Sequence, residues 1–209
     1  CASGPHYPES IKEAVNSSFR SEDFMKRDKY RHPEETLKFF DLRPDMTVVE
    51  IWPSGGWYTE ILAPYLHKKG TYIIADPPLD PRGYTKRRQD WMAKNKAIAE
   101  KVKSTKFLPP NELLIAPGES ADMVLTFRNV HNWLPVENQE LAFKAFFDAL
   151  KPGGILGVVE HRAPKMGFDP KSGYVAQDEV IRIAKKAGFE FVGSSEINAN
   201  PKDTKNHPE

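Results

Sequence analysis

The sequence predicts an α/β chain: an open, mostly parallel sheet with helices on both faces, preceded by a helical N-terminal extension. Short β-branched runs alternate with helical hydrophobic periods through the middle of the chain, which is the order that builds parallel strands with helical crossovers. Runs such as Thr47–Ile51 and Ile155–Glu160 are of the type buried on both faces. At 209 residues, with 39% hydrophobic and 28% charged side chains, the chain suits one globular domain with extensions.

Residues 1–31 are read as the extension, because Ile11, Val15, Phe19, Phe24 and Met25 give only a weak helical period, suited to a clasp outside the core. The main domain is placed at 32–197. It opens with a helix at His32-Pro33-Glu34-Glu35, where proline in the first turn and two acids suit a helix N-terminus. Thr47–Ile51 is a strand and Tyr58–Leu66 a helix, with Ile61, Leu62 and Leu66 inward; Thr71–Ala75 is a second strand. Thr85–Lys103 reads as one long amphipathic helix. Trp91, Asn95, Ile98 and Val102 share a face, while Lys86, Arg87, Arg88, Lys94, Lys96, Lys101 and Lys103 form a solvated exterior. A third strand falls at Thr105–Leu108 or Leu113–Ala116, and a fourth at Met123–Phe127. A helix carrying Leu141, Ala142, Ala145, Phe146, Ala149 and Leu150 stops at the turn Lys151-Pro152-Gly153-Gly154, before a fifth strand at Ile155–Glu160. Val175–Lys186 is helical, Gly188 caps it and Phe189–Gly193 is a sixth strand. Residues 198–209 are polar and read as a loose tail, with no apolar run to supply a further strand.

Composition excludes several functions. Thirty Lys and Arg against 29 Asp and Glu give a net charge of +1, so no overall field favours nucleic acid as partner. No apolar stretch approaches the roughly 20 residues that span a bilayer. The single cysteine rules out an internal disulfide and a cysteine-based zinc cluster within one chain.

Ligands of open parallel sheets bind outside the carboxyl ends of the strands. Those ends are unusually polar or glycine-rich here. The first leads into Trp52-Pro53-Ser54-Gly55-Gly56-Trp57, the second ends in Asp76, the fourth leads into Arg128-Asn129-Val130-His131-Asn132-Trp133, and the fifth into Glu160-His161-Arg162. Trp52, Trp57, Tyr58, Trp133 and Phe168 supply either an aromatic wall around an acceptor or ordinary packing.

The ordered series VVEIWPSGGWYTEIL, IIAD, ADMVLTFRNVHNWL and LKPGGILGVVE resembles the class I S-adenosylmethionine-dependent methyltransferases over residues 33–197. More narrowly, it resembles a bacterial group of methyltransferase-like proteins with a Trp-Pro first motif, some of them exported. The resemblance implies a Rossmann-like fold and S-adenosylmethionine as cofactor. It implies that Glu50, Trp52, Ser54, Gly55 and Gly56 surround the methionine part, that Asp76 binds the ribose and that the loop before Asp122 contacts the adenine. The glycine positions of the usual first motif read Trp52, Ser54 and Gly56, so only the last is retained. FRNVHNW resembles the LHDW-type stretch of small-molecule O-methyltransferases. His131 is then the candidate base, Glu160 its orienting carboxylate, and Arg128 a group for an acidic substrate or the cofactor carboxylate. The implied partner is a small-molecule methyl acceptor.

The alternative expectation is a noncatalytic binding module with this fold and an altered cofactor site. Cys1-Ala2-Ser3-Gly4-Pro5 resembles the start of a processed bacterial lipoprotein, in which such a cysteine carries a lipid anchor; the other reading is a cysteine placed first by chance. The first predicts a periplasmic or membrane-anchored protein and the second leaves a cytoplasmic one.

Overall fold

The structure, a computed structural model, describes residues 4–127, 129, 133, 136–159, 170–195 and 200–205. In chain order the elements are α1 (Ile11–Val15), α2 (Glu22–Met25), α3 (Asp28–Arg31), α4 (Pro33–Phe39), β1 (Thr47–Ile51), α5 (Thr59–Leu66), β2 (Thr71–Asp76), α6 (Lys86–Lys94), α7 (Lys96–Ala99) and β3 (Lys103–Lys106). They continue with β4 (Ala121–Phe127), α8 (Val136–Ala149), β5 (Leu150–Val159), α9 (Pro170–Ala187), β6 (Phe189–Ser195) and β7 (Asn200–Lys205). Among the described residues the strands form one seven-stranded sheet in the order β3-β2-β1-β4-β5-β7-β6. The five strands from β3 to β5 are parallel, and β7 is antiparallel to both neighbours.

Two cores lie on the two sheet faces. Val49, Ile51, Val124 and Val158 meet Ala142, Phe143 and Phe146 of α8 and Val180, Ile183 and Ala184 of α9. On the other face Val48, Ile74, Met123 and Leu125 meet α1, α4, α5 and the residues Trp91 and Ile98. Gly157 of β5 permits the close approach on this side: a Cβ there would lie 2.7 Å from Leu125 Cδ2 and 2.9 Å from the Phe40 ring.

Four expectations need correction. The polar segment 198–209 is not all tail, since Asn200–Lys205 forms β7 between β5 and β6. A strand inserted between two others is held by its main-chain ladder, so it does not require the alternating apolar pattern that would announce it. The long helix breaks at Asn95, which leaves the helical region (φ −126°, ψ 58°) while its side-chain amide donates to the Trp91 carbonyl. The third strand overlaps the first candidate but starts two residues earlier, at the polar Lys103–Lys106, as suits an edge strand paired on one side only. The turn Lys151–Gly154 lies within β5 as an irregularity between the pairs Ala121–Leu150 and Met123–Ile155. By contrast Gly188, at φ +117°, does end α9, its N–H donating to the Lys185 carbonyl.

The N-terminal segment is a clasp, as its sequence suggests, but not one outside the core: Ile11, Ala14 and Val15 are buried in it. Beyond them the clasp is locked on α5 and α6 by polar contacts. The Ser21 N–H and hydroxyl donate to the two Glu60 carboxylate oxygens at 2.6 and 3.0 Å. The indoles of Trp57 and Trp91 donate to the carbonyls of Phe24 and Phe19. The Arg20 guanidinium pairs with Asp28 and lies 4.8 Å from the Trp57 ring centroid, and Arg87 pairs with Asp23. Burial pushes the Glu60 carboxyl up, and the two Ser21 donors oppose that shift. Glu60→Ala would leave both Ser21 donors unmatched, so a stability loss of about 2 kcal/mol is expected. Urea unfolding, with proteolysis mapped over residues 10–31, checks it; unchanged protection of that segment would show that the clasp is held elsewhere.

Candidate functional site

The strand order reverses direction between β1 and β4, and in an open parallel sheet the crevice above that point is where ligands bind. The turn leaving β1 enters this crevice. Trp52, Ser54 and Gly56 all have positive φ, at 47°, 56° and 88°. These are the three positions at which the sequence resemblance places glycines, so the backbone keeps the shape of a glycine-rich turn although two of the residues carry side chains. A left-handed conformation costs roughly 1 kcal/mol or more at each non-glycine residue, and such strain persists where the surroundings over-determine it. Trp52 supplies part of that determination. Its N–H donates to the Ala75 carbonyl of β2 and its indole Nε1 to the Phe107 carbonyl after β3, at 2.9 Å each. The ring packs edge-on against Trp133 and Phe107, at centroid separations of 5.7 and 6.4 Å. The aromatic residues thus divide: Trp52, Phe107, Trp133 and Phe146 make one cluster of edge-to-face and tilted contacts, Trp57 lies under the clasp, and Tyr58 stacks on Phe127.

Glu50 lies beneath this turn. It is 3% exposed, and the Tyr72 hydroxyl donates to its Oε1 at 2.5 Å, leaving Thr59 to donate to the Tyr72 oxygen at 2.9 Å. Burial pushes the Glu50 carboxyl up to about 7; the Tyr72 hydrogen bond and the nearby Arg88 charge oppose the shift, while Asp76 adds to it. Burial, reinforced by the Glu50 charge, raises the Tyr72 hydroxyl well above its usual range.

Asp76 ends β2 at the lip of the crevice, and Arg88 from α6 meets it. Arg88 Nη2 donates to Asp76 Oδ2 at 2.5 Å and Nη1 to the Ser54 carbonyl at 3.1 Å. The Arg88 side chain is 4% exposed and that of Asp76 16%. The arginine methylenes rest on Gly56, where a Cβ would come within 2.8 Å of Arg88 Cγ. The expectation of a solvated Arg88 is therefore overturned. A signal for this was present: Arg88 precedes the buried Trp91 by three positions, so both lie on one helix face. Among the described residues neither Asp76 Oδ1 nor Arg88 Nε, both buried, has a hydrogen-bond partner.

Asp122 is not in this crevice. It begins β4 at the opposite, amino edge, where its carboxylate accepts from the Thr47 N–H at 2.8 Å and pairs with Lys151 at 3.3 Å. Asp122 itself is therefore remote from a ligand seated between Trp52 and Asp76, whereas the loop before it starts beside them, the Phe107 N–H donating to the Asp76 carbonyl. A cleft of about 620 Å³ does open at that amino edge, but its cations Lys38, Arg43 and Lys151 are paired with Glu34, Asp45 and Asp122. The carboxyl edge is the better site on chemistry. Arg128, His131, Glu160, His161, Arg162 and Phe168 lie outside the described residues. Asn129, between Arg128 and His131 in sequence, is buried and donates to the Ile51 carbonyl at the end of β1.

No protein-family model and no curated protein matches the chain. Solved structures do. An S-adenosylmethionine-dependent methyltransferase from Aquifex aeolicus superposes with a TM-score of 0.68 at 18% identity, covering 93% of this chain and 96% of that one. A protein described as a possible exported protein of Bordetella parapertussis gives 0.55 at 17% identity, over 95% and 80%. A TehB-like S-adenosylmethionine-dependent methyltransferase from Corynebacterium glutamicum gives 0.54 at 14%, over 81% and 85%. The chain has the Rossmann-like class I methyltransferase fold.

The raised Glu50 carboxyl makes stability depend on pH with a defined sign. The folded chain holds this proton to about pH 7, whereas the unfolded chain releases it above about 4.5. The contribution is therefore full below the unfolded value and is lost as pH rises through the folded one. Glu50→Gln should flatten that part of the curve, as urea unfolding at a series of pH values would show; an unaltered slope would clear Glu50 of the effect.

Proposed function

We propose that the chain is an S-adenosylmethionine-dependent methyltransferase acting on the oxygen of a small molecule. The observation that carries this reading is the pairing of a buried carboxylate oxygen, Asp76 Oδ1, that has no partner among the described residues, with a left-handed Trp52–Gly56 turn across the switch point of this fold. An adenosyl group fits those residues. Asp76 would accept from a ribose hydroxyl, while the turn at Gly55 and Gly56 would bring main chain beside the methionine part. When bound, the cofactor supplies an electrophilic sulfonium methyl group.

The chain's own tasks follow from its residues. His131, four positions beyond the end of β4, is the candidate base: a neutral imidazole at ordinary pH can take the acceptor's proton as its oxygen attacks. Glu160, one position beyond β5, would orient the imidazole, and Arg128 would hold an acidic group of acceptor or cofactor. Glu50 supports the turn from below through Tyr72 and Thr59. Catalysis of this kind rests mainly on holding acceptor oxygen and methyl group in line.

A second reading has its own observation: Arg88 fills the Gly56 cradle and occupies one Asp76 oxygen. A chain that used those contacts permanently would be a binding module with this fold and no methyl transfer.

Calorimetric titration with S-adenosylhomocysteine separates the two. Micromolar binding that Asp76→Ala weakens by about 100-fold or more supports the enzyme, a loss of about 3 kcal/mol as expected for a hydrogen-bonded charged group. Absence of binding by folded protein, with Arg88 intact or replaced, supports the module. His131→Ala should leave that affinity intact and lower methyl transfer to phenol and alcohol acceptors by about 10²–10⁴-fold; an unchanged rate would remove it as base.

A further inference from the structure

We infer that Arg88 is an internal competitor for the ribose place, so that a nucleoside ligand binds by displacing this side chain from Asp76. The inference rests on the cofactor reading above and adds to it the residue that sets the affinity. Three observations point the same way. Arg88 occupies two places that the cofactor would use: it donates to Asp76 Oδ2, the ribose place, and lays its methylenes on Gly56, beside the methionine part. Among the described residues its guanidinium is otherwise held only by the Ser54 carbonyl, which belongs to the same turn. The pair is also incomplete: it is monodentate, and among the described residues the buried atoms Asp76 Oδ1 and Arg88 Nε face no partner.

A bidentate arginine–carboxylate pair satisfies both carboxylate oxygens and is difficult to replace. The pair here leaves a buried acceptor and a buried donor unmatched among the described residues, each of which penalises the closed arrangement. Two vicinal hydroxyls would satisfy both Asp76 oxygens, and a released guanidinium would regain water for its idle Nε–H. The exchange is therefore chemically matched. It also accounts for burial of a cation at a site whose fold receives a sugar: Arg88 compensates the Asp76 charge while no ligand does so.

If only a fraction of molecules has Arg88 displaced, the apparent dissociation constant exceeds the intrinsic one by the inverse of that fraction. Removing the competitor should then tighten binding. We would titrate wild type, Arg88→Ala and Arg88→Gln with S-adenosylhomocysteine and, separately, with adenosine, checking each variant's fold by circular dichroism and thermal melting. Arg88→Gln keeps a neutral donor for Asp76 and serves where the alanine variant is too unstable.

The expected result is binding of both ligands at least about tenfold tighter in a folded variant than in wild type, including the case in which only the variant binds. Equal affinities would overturn the competitor role while leaving the cofactor reading in place. Weaker S-adenosylhomocysteine binding with adenosine binding unaltered would also overturn it, since Arg88 would then be holding the ligand's carboxylate. No binding of either ligand by wild type or variants would overturn the cofactor reading and this inference together.

Discussion

The reversal of the chain at the end of β1 is the constraint on which the rest of the crevice depends. Three residues in five take up left-handed conformations there, and two of them are not glycine. Such a turn survives because it is tied on several sides: to β2 through the Trp52 N–H, to the chain after β3 through the indole, and to α6 through the Ser54 carbonyl. Asn129, just beyond β4, bonds to the last residue of β1. Packing alone does not explain this arrangement, since a less strained turn could have joined β1 to α5. The strain has its clearest rationale at a site where main chain must come close to something.

The buried charges are arranged in depth around that turn. Glu50 is deepest and is relieved by a hydroxyl relay through Tyr72 and Thr59; Asp76 lies nearer the lip and is met by Arg88. Arg88 and Asp76 act on the Glu50 carboxyl in opposite senses, so the three groups form one electrostatic unit. Displacing or replacing Arg88 therefore has consequences below the lip as well as at it. The clasp enters the same unit from outside, because it is bonded to α5 through Glu60 and to α6 through Arg87 and Trp91, and these are the helices that present Thr59 and Arg88. A segment with the look of an appendage thereby helps to position the site.

Fold and function stand on different footings here. The sheet order and the superpositions establish the architecture across nearly the whole chain. The chemistry rests on the residues of the crevice itself. On that ground Asp76 and the turn beside it count more heavily than the amino-edge cleft, whose cations are already matched.

By itself the sequence determined the alternation of strands and helices, the location of β1, β2, β4 and β5, the cap at Gly188 and the glycine-like turn next to an acid at the end of β2. Those features are local: they depend on β-branched runs, helical periods and turn residues, whose preferences act within a few positions. Tertiary structure decided the rest. β7 carries no apolar pattern, because two neighbouring strands supply its hydrogen bonds. Arg88 reads as one member of a basic exterior until Asp76 and Gly56, distant along the chain, are brought against it. Asp122 follows a loop and begins a strand much as a site residue would, yet the direction of β4 puts it at the wrong edge. In each case the deciding partner is remote in sequence, and an ion pair or a strand ladder records nothing of itself in the residues on either side.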